Sequence, residues 1–308
     1  MSTRSTRLNA IVVNFHSAQL IARTVAIVRE FAGASARLIM VDNSPGDGAA
    51  DIVRSGDPNA TVIENSVNRG YAAAINQAVT LADANFLLLI NPDVGRISGS
   101  YADVLDAFRH DRVGAVVTRL LNADGTLQPT CICAPRPFDL ISEDLALAAR
   151  FPNWRRPRRY RMLDWDHCDA RQVDAARGAC LFMRRAAIDD VGPFDERFFL
   201  YYEETDWLIR AKRLGWRTVF LPTVEAVHAS AGSSPDVRSP HGLLLLESQH
   251  RYARKHFGPM ITALLRTTQL GIDTARLARY ALDGRAAARA AAVDRIHVHM
   301  TMRAPRPS

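Results

Sequence analysis

Between Phe198 and Trp216 the chain reads "FFLYYEETDWLIRAKRLGW", which puts Glu203, Glu204 and Asp206 within four positions behind a run of aromatics. Carboxylates this close repel one another, so the cluster needs a reason. The plain reason is that three acids cap a helix and offset Arg210, Lys212 and Arg213. The sharper one is acid–base chemistry in a cleft. The segment alone leaves both open.

A second candidate is "LLLINPDVG" at residues 87–95. A purely aliphatic strand stops at Asn91, and Pro92 cannot extend its ladder. Asp93 is thereby held at the sheet edge as a hard oxygen ligand. It suits a Mg²⁺ or Mn²⁺ ion that takes few protein ligands and bridges the oxygens of a diphosphate. His228, at the end of "VEAVH", is a histidine that terminates a strand pattern and could complete that coordination, although a lone histidine is more often structural. Asp42, in "VDNSPGDG", could accept hydrogen bonds from a pyrimidine or a ribose, or simply form a turn. In "NRGYAAAIN" Asn68 and Gly70 stand just before a helical pattern whose first amides could meet phosphate.

The elements that must position these residues follow from periodicity. "LNAIVVNF" (8–15), "ARLIMVDN" (36–43), "ATVIEN" (60–65) and "NFLLLIN" (85–91) are short apolar runs, as expected of strands buried on both faces. Amphipathic helical patterns at 18–32 and 70–84 lie between them. This alternation predicts right-handed crossovers and a parallel sheet with its ligands at the strands' carboxyl ends. Those ends carry Asn14-Phe15, Asp42-Asn43, Asn65 and Asn91-Pro92-Asp93. Another strand is predicted at 113–121, followed by a hairpin turn at "NADGT". Residues 128–175 form a long excursion rich in Pro, Arg and Trp with no clear period. Strands are then expected at 217–222 and 224–230. Residues from about 240 to 284 read as helix, and the Arg/Ala tail beyond as frayed.

Composition narrows the class. With 308 residues, 48% of them hydrophobic and 23% charged, the chain can bury a full core. Its net charge of +7 comes from arginine, since Lys212 and Lys255 are its lysines, and suits an anionic partner. No run approaches the ~20 apolar residues of a membrane span, and the N-terminus lacks a signal-peptide core. The four cysteines have neither metal-site nor disulfide-framework spacing and read as reduced cytosolic thiols. Neither a Gly-x-Gly-x-x-Gly turn nor a Walker loop follows the first strand, so a dinucleotide-binding Rossmann domain is not expected. Nucleic acid fits the charge but has no motif behind it.

The ordered series "VDN", "NRGYAAAIN", "NPD", "GACLFMRR", "GPFDERFFLYYEETDW" and "AVHASAGSS" resembles the inverting family 2 glycosyltransferases of GT-A fold, closest to the rhamnosyltransferase-like branch. The resemblance spans about residues 8–235. It implies an α/β fold, Rossmann-like, with a mainly parallel sheet and flanking helices. The catalytic domain would cover 1–235, with 128–175 on the acceptor side, and 236–308 would be a C-terminal helical extension. It implies transfer of a sugar, L-rhamnose from dTDP-rhamnose in this branch, to a polyprenyl-diphosphate-linked or other cell-surface glycan acceptor. A UDP- or GDP-sugar donor, or a non-catalytic nucleotide-sugar-binding relative, is the alternative.

Residue by residue, Asp42 matches the acid that holds the nucleotide base, and Asn14, Phe15 and Asn43 join it on the donor side. Asn68, Gly70 and Asn76 match the "NxGxxxxxN" donor turn. "NPD" matches the Asp-x-Asp metal motif, with Asp93 as ligand and Asn91 in place of the first acid. His228 matches the late histidine ligand of Mg²⁺ or Mn²⁺. The acidic segment matches the one that carries the general base, with Glu at 204 in place of Asp. Helical spacing puts Glu204 on a stripe with Trp207, Leu208, Ala211 and Gly215, facing the protein. Asp206 precedes Arg210 by four residues, the spacing of a surface ion pair, and is the second choice as base.

"RFPNWRRPRRYR" (150–161) carries six arginines and no acid, and suits an acceptor diphosphate or an anionic bilayer. The basic, apolar helix at 250–280 suits an interfacial helix, and equally packing on the catalytic domain or a dimer contact. Together these imply a cytoplasmic protein, peripheral on the inner face of the plasma membrane.

Overall fold

A computed structural model of the chain describes residues 7–229 and 240–306. The first ninety residues alternate as read: β1 (Leu8–Asn14), α1 (Ala18–Ala32), a 3₁₀ turn at Gly33–Ser35, β2 (Ala36–Asp42), α2 (Ala49–Gly56), β3 (Thr61–Glu64), α3 (Tyr71–Leu81) and β4 (Phe86–Ile90). Every residue of β1 and β4 is buried, which is why these strands show no polar alternation. Next come β5 (Val94–Ser98), α4 (Tyr101–Ala107) and β6 (Val113–Leu121). The strand β5 and helix α4 are not evident in the sequence. Gly95 and Arg96 interrupt the apolar run of β5, and its antiparallel partner lies more than a hundred residues downstream.

The excursion after β6 is not structureless. It holds β7 (Cys131–Ile132), α5 (Pro137–Asp144), α6 (Leu147–Arg150), α7 (Arg155–Tyr160), β8 (Arg171–Val173) and β9 (Ala175–Ala176). These pieces are too short to show a period. Then follow β10 (Cys180–Arg184), α8 (Arg185–Val191), α9 (Glu203–Arg213), β11 (Arg217–His228), α10 (Pro240–Leu282) and α11 (Ala286–Thr301). The two strands expected at 217–230 are one, β11, with its register against β6 shifting between Leu221 and Glu225. The end of the second run, and most of "AVHASAGSS", lie outside the described residues.

The described residues divide into two compact units, one of 7–134, 161–196 and 204–229, the other of 135–160, 197–203 and 240–306. The first holds a nine-stranded sheet in the order β3-β2-β1-β4-β10-β6-β11-β5, with β8 beside β11. The run β3-β2-β1-β4 and the pair β6/β11 are parallel, while β10, β5 and β8 pair antiparallel with their neighbours. Ile21, Val25 and Val28 of α1 pack with Val12, Met40, Leu88 and Phe182 into one core. Burial of each such side chain contributes about 1.5–3 kcal/mol.

In the second unit Leu140, Phe198, Tyr202, Tyr252 and Leu265 form one cluster, and Leu243, Leu244, Leu246, Val298 and Ala304 another, against which Phe199 and Tyr201 pack. The aromatics ahead of the acidic segment are thus core residues of this unit. α10 is interrupted at Gly258, where φ is 84°, with Pro259 following. The tail expected to fray is instead the helix α11. Its alanines favour helix, and buried Ala291, Ala292 and Val298 together with Arg295 and His299 anchor it.

Candidate active site

Every donor-site, metal and base candidate named in the sequence falls in the first unit, while Glu203 belongs to the second. Asn14, Phe15, Asp42, Asn43, Asn91 and Asp93 lie at the carboxyl ends of β1, β2 and β4 or just beyond, which is where a parallel sheet opens to ligands.

At the end of β1, Asn14 is fully buried and fully used. Its Nδ2 lies 2.9 Å from Oδ1 of Asp42, 2.9 Å from Oδ2 of Asp47 and 3.2 Å from Oγ of Ser44, while its Oδ1 accepts from the Ser17 amide at 3.1 Å. Asn14 therefore orders the loop after β2. Phe15, beside it, is half-buried and packs on the His16 ring at 4.4 Å. Asp42 is 1% exposed. Its Oδ1 also accepts from the Ser44 amide at 2.9 Å, and its Oδ2 is buried with no hydrogen-bond partner among the described residues. A buried, unbonded carboxylate oxygen at a strand end is what a ligand N–H or O–H would meet. Ser44 and Asp47 went unnoticed in the sequence. Burial pushes the Asp47 carboxyl up, but bonds from Asn14, Ala49 and Ser44 bring it below its ordinary value.

Asn43 joins the next two loops. Its Nδ2 donates to the Gly70 carbonyl at 3.3 Å and its Oδ1 accepts from Nδ2 of Asn65 at 2.9 Å. The Asn68 side chain accepts from the Gly70 amide at 2.9 Å. Gly70 then enters α3 at φ 84°, a conformation that L side chains rarely adopt. Asn76, further along α3, uses its amide on the backbone. It donates to the Phe194 carbonyl and accepts from the Phe194 amide, both at 2.9 Å, so it anchors the "GPFDE" segment.

Beyond β4, the turn Asn91-Pro92-Asp93 is pinned on every side. The Asn91 amide donates to the Ala179 carbonyl, the Pro92 carbonyl accepts from the Thr24 hydroxyl, and the Asp93 carbonyl accepts from the Ala229 amide, at 2.9–3.1 Å. The Asn91 side chain accepts from the Tyr71 hydroxyl at 3.2 Å. Antiparallel pairing of β5 and β11 sets His228 opposite Val94 and so brings its ring to Asp93, with Nε2 3.2 Å from Oδ1. The other ring nitrogen meets Oε1 of Gln128 at 2.8 Å, a contact nothing in the sequence announced.

One carboxylate and one imidazole on adjacent strand ends fit a divalent cation that draws its remaining ligands from a diphosphate. No group of three or more His, Cys, Asp or Glu suited to a metal occurs among the described residues, and Asp93 and His228 are the two candidate ligands brought together there.

The acidic segment is more buried than its sequence suggests. Glu203 is 2% exposed and the Asp206 side chain 0%. The ion pair expected at the surface is half-buried: the enclosed Asp206 accepts from Nε of the partly exposed Arg210 at 2.9 Å, and Arg210 also donates to the carbonyls of Val191 and Pro193. Trp207, Leu208 and Ala211 face the core as expected, but Gly215 is exposed beyond the helix end. Glu204 differs from Asp206 in what it meets. Its Oε1 accepts from the Gly178 amide at 3.0 Å, and its Oε2 is buried with no hydrogen-bond partner among the described residues. Gly178 directly precedes Ala179, which holds Asn91. One dipeptide thus ties Glu204 and the Asn91-Pro92-Asp93 turn to the start of β10.

Residues 10–191 match the model of "Glycosyl transferase family 2". An N-acetylglucosaminyl-diphospho-decaprenol L-rhamnosyltransferase of Mycobacterium tuberculosis is 30% identical over 239 residues, 72% of this chain and 76% of that protein. Among solved structures, a mannosyltransferase of Pyrobaculum calidifontis in complex with GDP-Man and Mn²⁺ aligns over 94% of this chain and 87% of its own, with a TM-score of 0.52 at 17% identity. GalNAc-T7 with UDP, GalNAc and Mn²⁺ aligns over 80% and 47%, with a TM-score of 0.55 at 13% identity. At such identities the likeness is one of fold, and it agrees with the α/β GT-A architecture and its helical extension.

Proposed function

The chain belongs to glycosyl transferase family 2 and is a glycosyltransferase; from that premise we propose that it moves L-rhamnose from dTDP-rhamnose to a lipid-linked glycan, with inversion and with a divalent cation. The M. tuberculosis relative, named for rhamnosyl transfer to a diphospho-decaprenol-linked acceptor, supports the donor and acceptor classes. The observation that carries the chemistry is the paired attachment of Glu204 and Asn91 to Gly178 and Ala179.

In this reading Oε2 of Glu204 takes the proton of an acceptor hydroxyl as that oxygen bonds to the anomeric carbon. The bond from that carbon to the diphosphate breaks on the opposite face, its electron pair leaves with the nucleoside diphosphate, and the configuration inverts. A divalent cation held by Asp93 and His228 would offset the charge gathering on the departing diphosphate. Asp42, ordered by Asn14 and Ser44, meets the nucleoside through Oδ2. Asn43, Asn68 and Asn76 act one step back by shaping the loops that face the donor.

The acceptor side favours a membrane surface. Phe151 and Trp154 are 54% and 42% exposed, and Arg150, Arg155, Arg156 and Arg159 around them are exposed. No described helix is long and apolar enough to cross a membrane, so the contact proposed is peripheral, at the cytoplasmic face. The test is a thermal-shift panel of dTDP-rhamnose, UDP-sugars and GDP-sugars, each with Mn²⁺, Mg²⁺ or EDTA, followed by product analysis. Stabilisation by dTDP-rhamnose only with metal is expected. Stabilisation by a UDP- or GDP-sugar instead would replace the donor, and equal stabilisation in EDTA would remove the cation.

A further inference from the structure

His228 has both ring nitrogens engaged, Nδ1 at 2.8 Å from Oε1 of Gln128 and Nε2 at 3.2 Å from Oδ1 of Asp93. Which nitrogen carries the proton of the neutral ring depends on which end of the Gln128 amide faces it. The turn after β6 answers this. Nε2 of Gln128 donates to Oδ1 of Asn122 at 3.0 Å, Nδ2 of Asn122 donates to Oγ1 of Thr126 at 2.9 Å, and that hydroxyl donates to Oδ1 of Asp124 at 2.6 Å.

The series ends on a carboxylate, and an ionised carboxylate only accepts. Bonds from the hydroxyl and the amide of Thr126 hold the Asp124 carboxyl below its ordinary value. The one hydroxyl proton of Thr126 is therefore directed at Asp124, so Thr126 accepts from the NH₂ of Asn122. The Asn122 oxygen then faces the NH₂ of Gln128, and the Gln128 oxygen faces Nδ1 of His228, which must be the N–H. Gln128 is itself buried, which protects the last link from exchange with water.

We propose that the Asn122–Gln128 turn is a polarity relay, in which Gln128 is a positioning residue that sets His228 as its Nδ1–H tautomer and leaves the Nε2 lone pair beside Asp93. The consequence rests on the metal reading above; the relay itself does not. Two electron-rich atoms 3.2 Å apart repel unless positive charge lies between them. An isolated His–Asp pair would place an Nε2–H there, which a cation would have to displace. The relay disfavours that arrangement in advance, as outer hydrogen bonds do for metal-bound histidines generally.

The test uses the full chain with ¹⁵N-labelled histidine, free of metal, at a pH above the ordinary histidine range. Long-range ¹H–¹⁵N correlations report the tautomer, and a His228→Ala variant identifies the signal. The expected pattern is Nδ1–H in the wild type, retained in Asn122→Asp, whose carboxylate can still accept from Gln128. Gln128→Leu should change it to Nε2–H and weaken Mn²⁺ binding ~10–100-fold. Thermal melts establish that each variant is folded. An Nε2–H pattern in the wild type, or an unchanged pattern in folded Gln128→Leu, overturns the relay. An Nδ1–H pattern in wild-type protein that takes up no Mn²⁺ sustains the relay and overturns the metal reading.

Discussion

The backbone N–H of Gly178 donates to Oε1 of Glu204 at 3.0 Å and leaves Oε2 as the buried oxygen without a hydrogen-bond partner among the described residues. A carboxylate held by one oxygen has its other oxygen directed and available. That asymmetry separates Glu204 from Asp206, which the same stretch of sequence offers as the second choice.

Glu204→Gln should therefore abolish most turnover and leave the donor site intact. The amide keeps an acceptor for Gly178 but replaces the proton-accepting oxygen with an NH₂. A loss of ~10²–10⁴ in kcat is expected, the range of a general base. The donor-induced thermal shift should not change. Wild-type kcat in this variant would remove Glu204 from the base role.

Asp206→Ala should act on stability. Its carboxylate is enclosed and pairs with a partly exposed Arg210 guanidinium, and removal of one partner from a buried pair typically costs about 3–5 kcal/mol. Arg210 keeps the Val191 and Pro193 carbonyls, so the lower end of that range is expected. Asp206→Ala combined with Arg210→Met should lose less than Asp206→Ala alone, because no unpaired charge remains. Denaturant unfolding of the single and double variants measures this. Asp206→Ala protein of unchanged stability but with no turnover would make Asp206 the base.

What could be read in advance was whatever depends on local pattern. β1, β2 and β4 show as unbroken apolar runs, and the polar residues that stop them lie where ligands approach a parallel sheet. Asp42 and Asp93 were singled out as candidates in this way. The roles of Asn14 and Asn76 were not legible, because an asparagine at a strand end or in a donor-site turn looks the same whether it meets a ligand or a neighbouring loop. Only Asp47 and Phe194 decide which. Asp206 was misplaced for a related reason. The i,i+4 spacing announces an ion pair, but burial of that pair depends on Val191 and Pro193, which pack from outside the helix. Gln128 reaches His228 across a hundred residues, and no local pattern marks such a contact.

Acid should loosen the helices of the second unit. Burial, with the nearby charge of His299, pushes the His250 imidazole down to about 3, so the folded state holds it neutral. Burial raises the Asp273 carboxyl, but the His299 hydrogen bond and the charges of Arg295 and Arg276 bring it down to about 2. In both groups the folded value lies below the unfolded one. The stability each contributes is therefore present above its unfolded pKa and is lost as pH falls toward the folded one. For His250 the window runs from about pH 6.5 to 3, and for Asp273 from about 3.8 to 2. Helical circular dichroism during denaturant unfolding at pH 7, 5 and 4 should show a midpoint that declines, with a smaller decline in His250→Gln. A midpoint flat from pH 7 to 4 would contradict the buried neutral histidine.

The surface of α7 and the residues before it should carry the chain to anionic bilayers. The rings of Phe151 and Trp154 meet edge to face at 6.1 Å, and Trp154 also meets Phe138 at 5.5 Å, so the aromatics form a supported ledge. The Arg156 guanidinium stacks over Phe138 at 4.1 Å. Between Leu145 and Leu163 the sequence has no acid to offset its arginines. Each arginine near an anionic surface contributes about 1 kcal/mol, roughly fivefold in partitioning, while an aromatic ring at the headgroup level adds an anchor that salt does not screen. Co-sedimentation should show binding to vesicles containing phosphatidylglycerol and little to neutral ones. Arg155→Glu with Arg156→Glu should weaken it by at least ~25-fold by that arithmetic. Phe151→Ser with Trp154→Ser should weaken it at high salt as well, where the charge pair no longer matters. Because none of these four residues belongs to the donor site, turnover on a soluble acceptor should stay at the wild-type rate while turnover on a vesicle-borne acceptor declines. Equal binding to neutral and anionic vesicles would assign the arginines to the acceptor's own diphosphate, since that contact needs no charged bilayer.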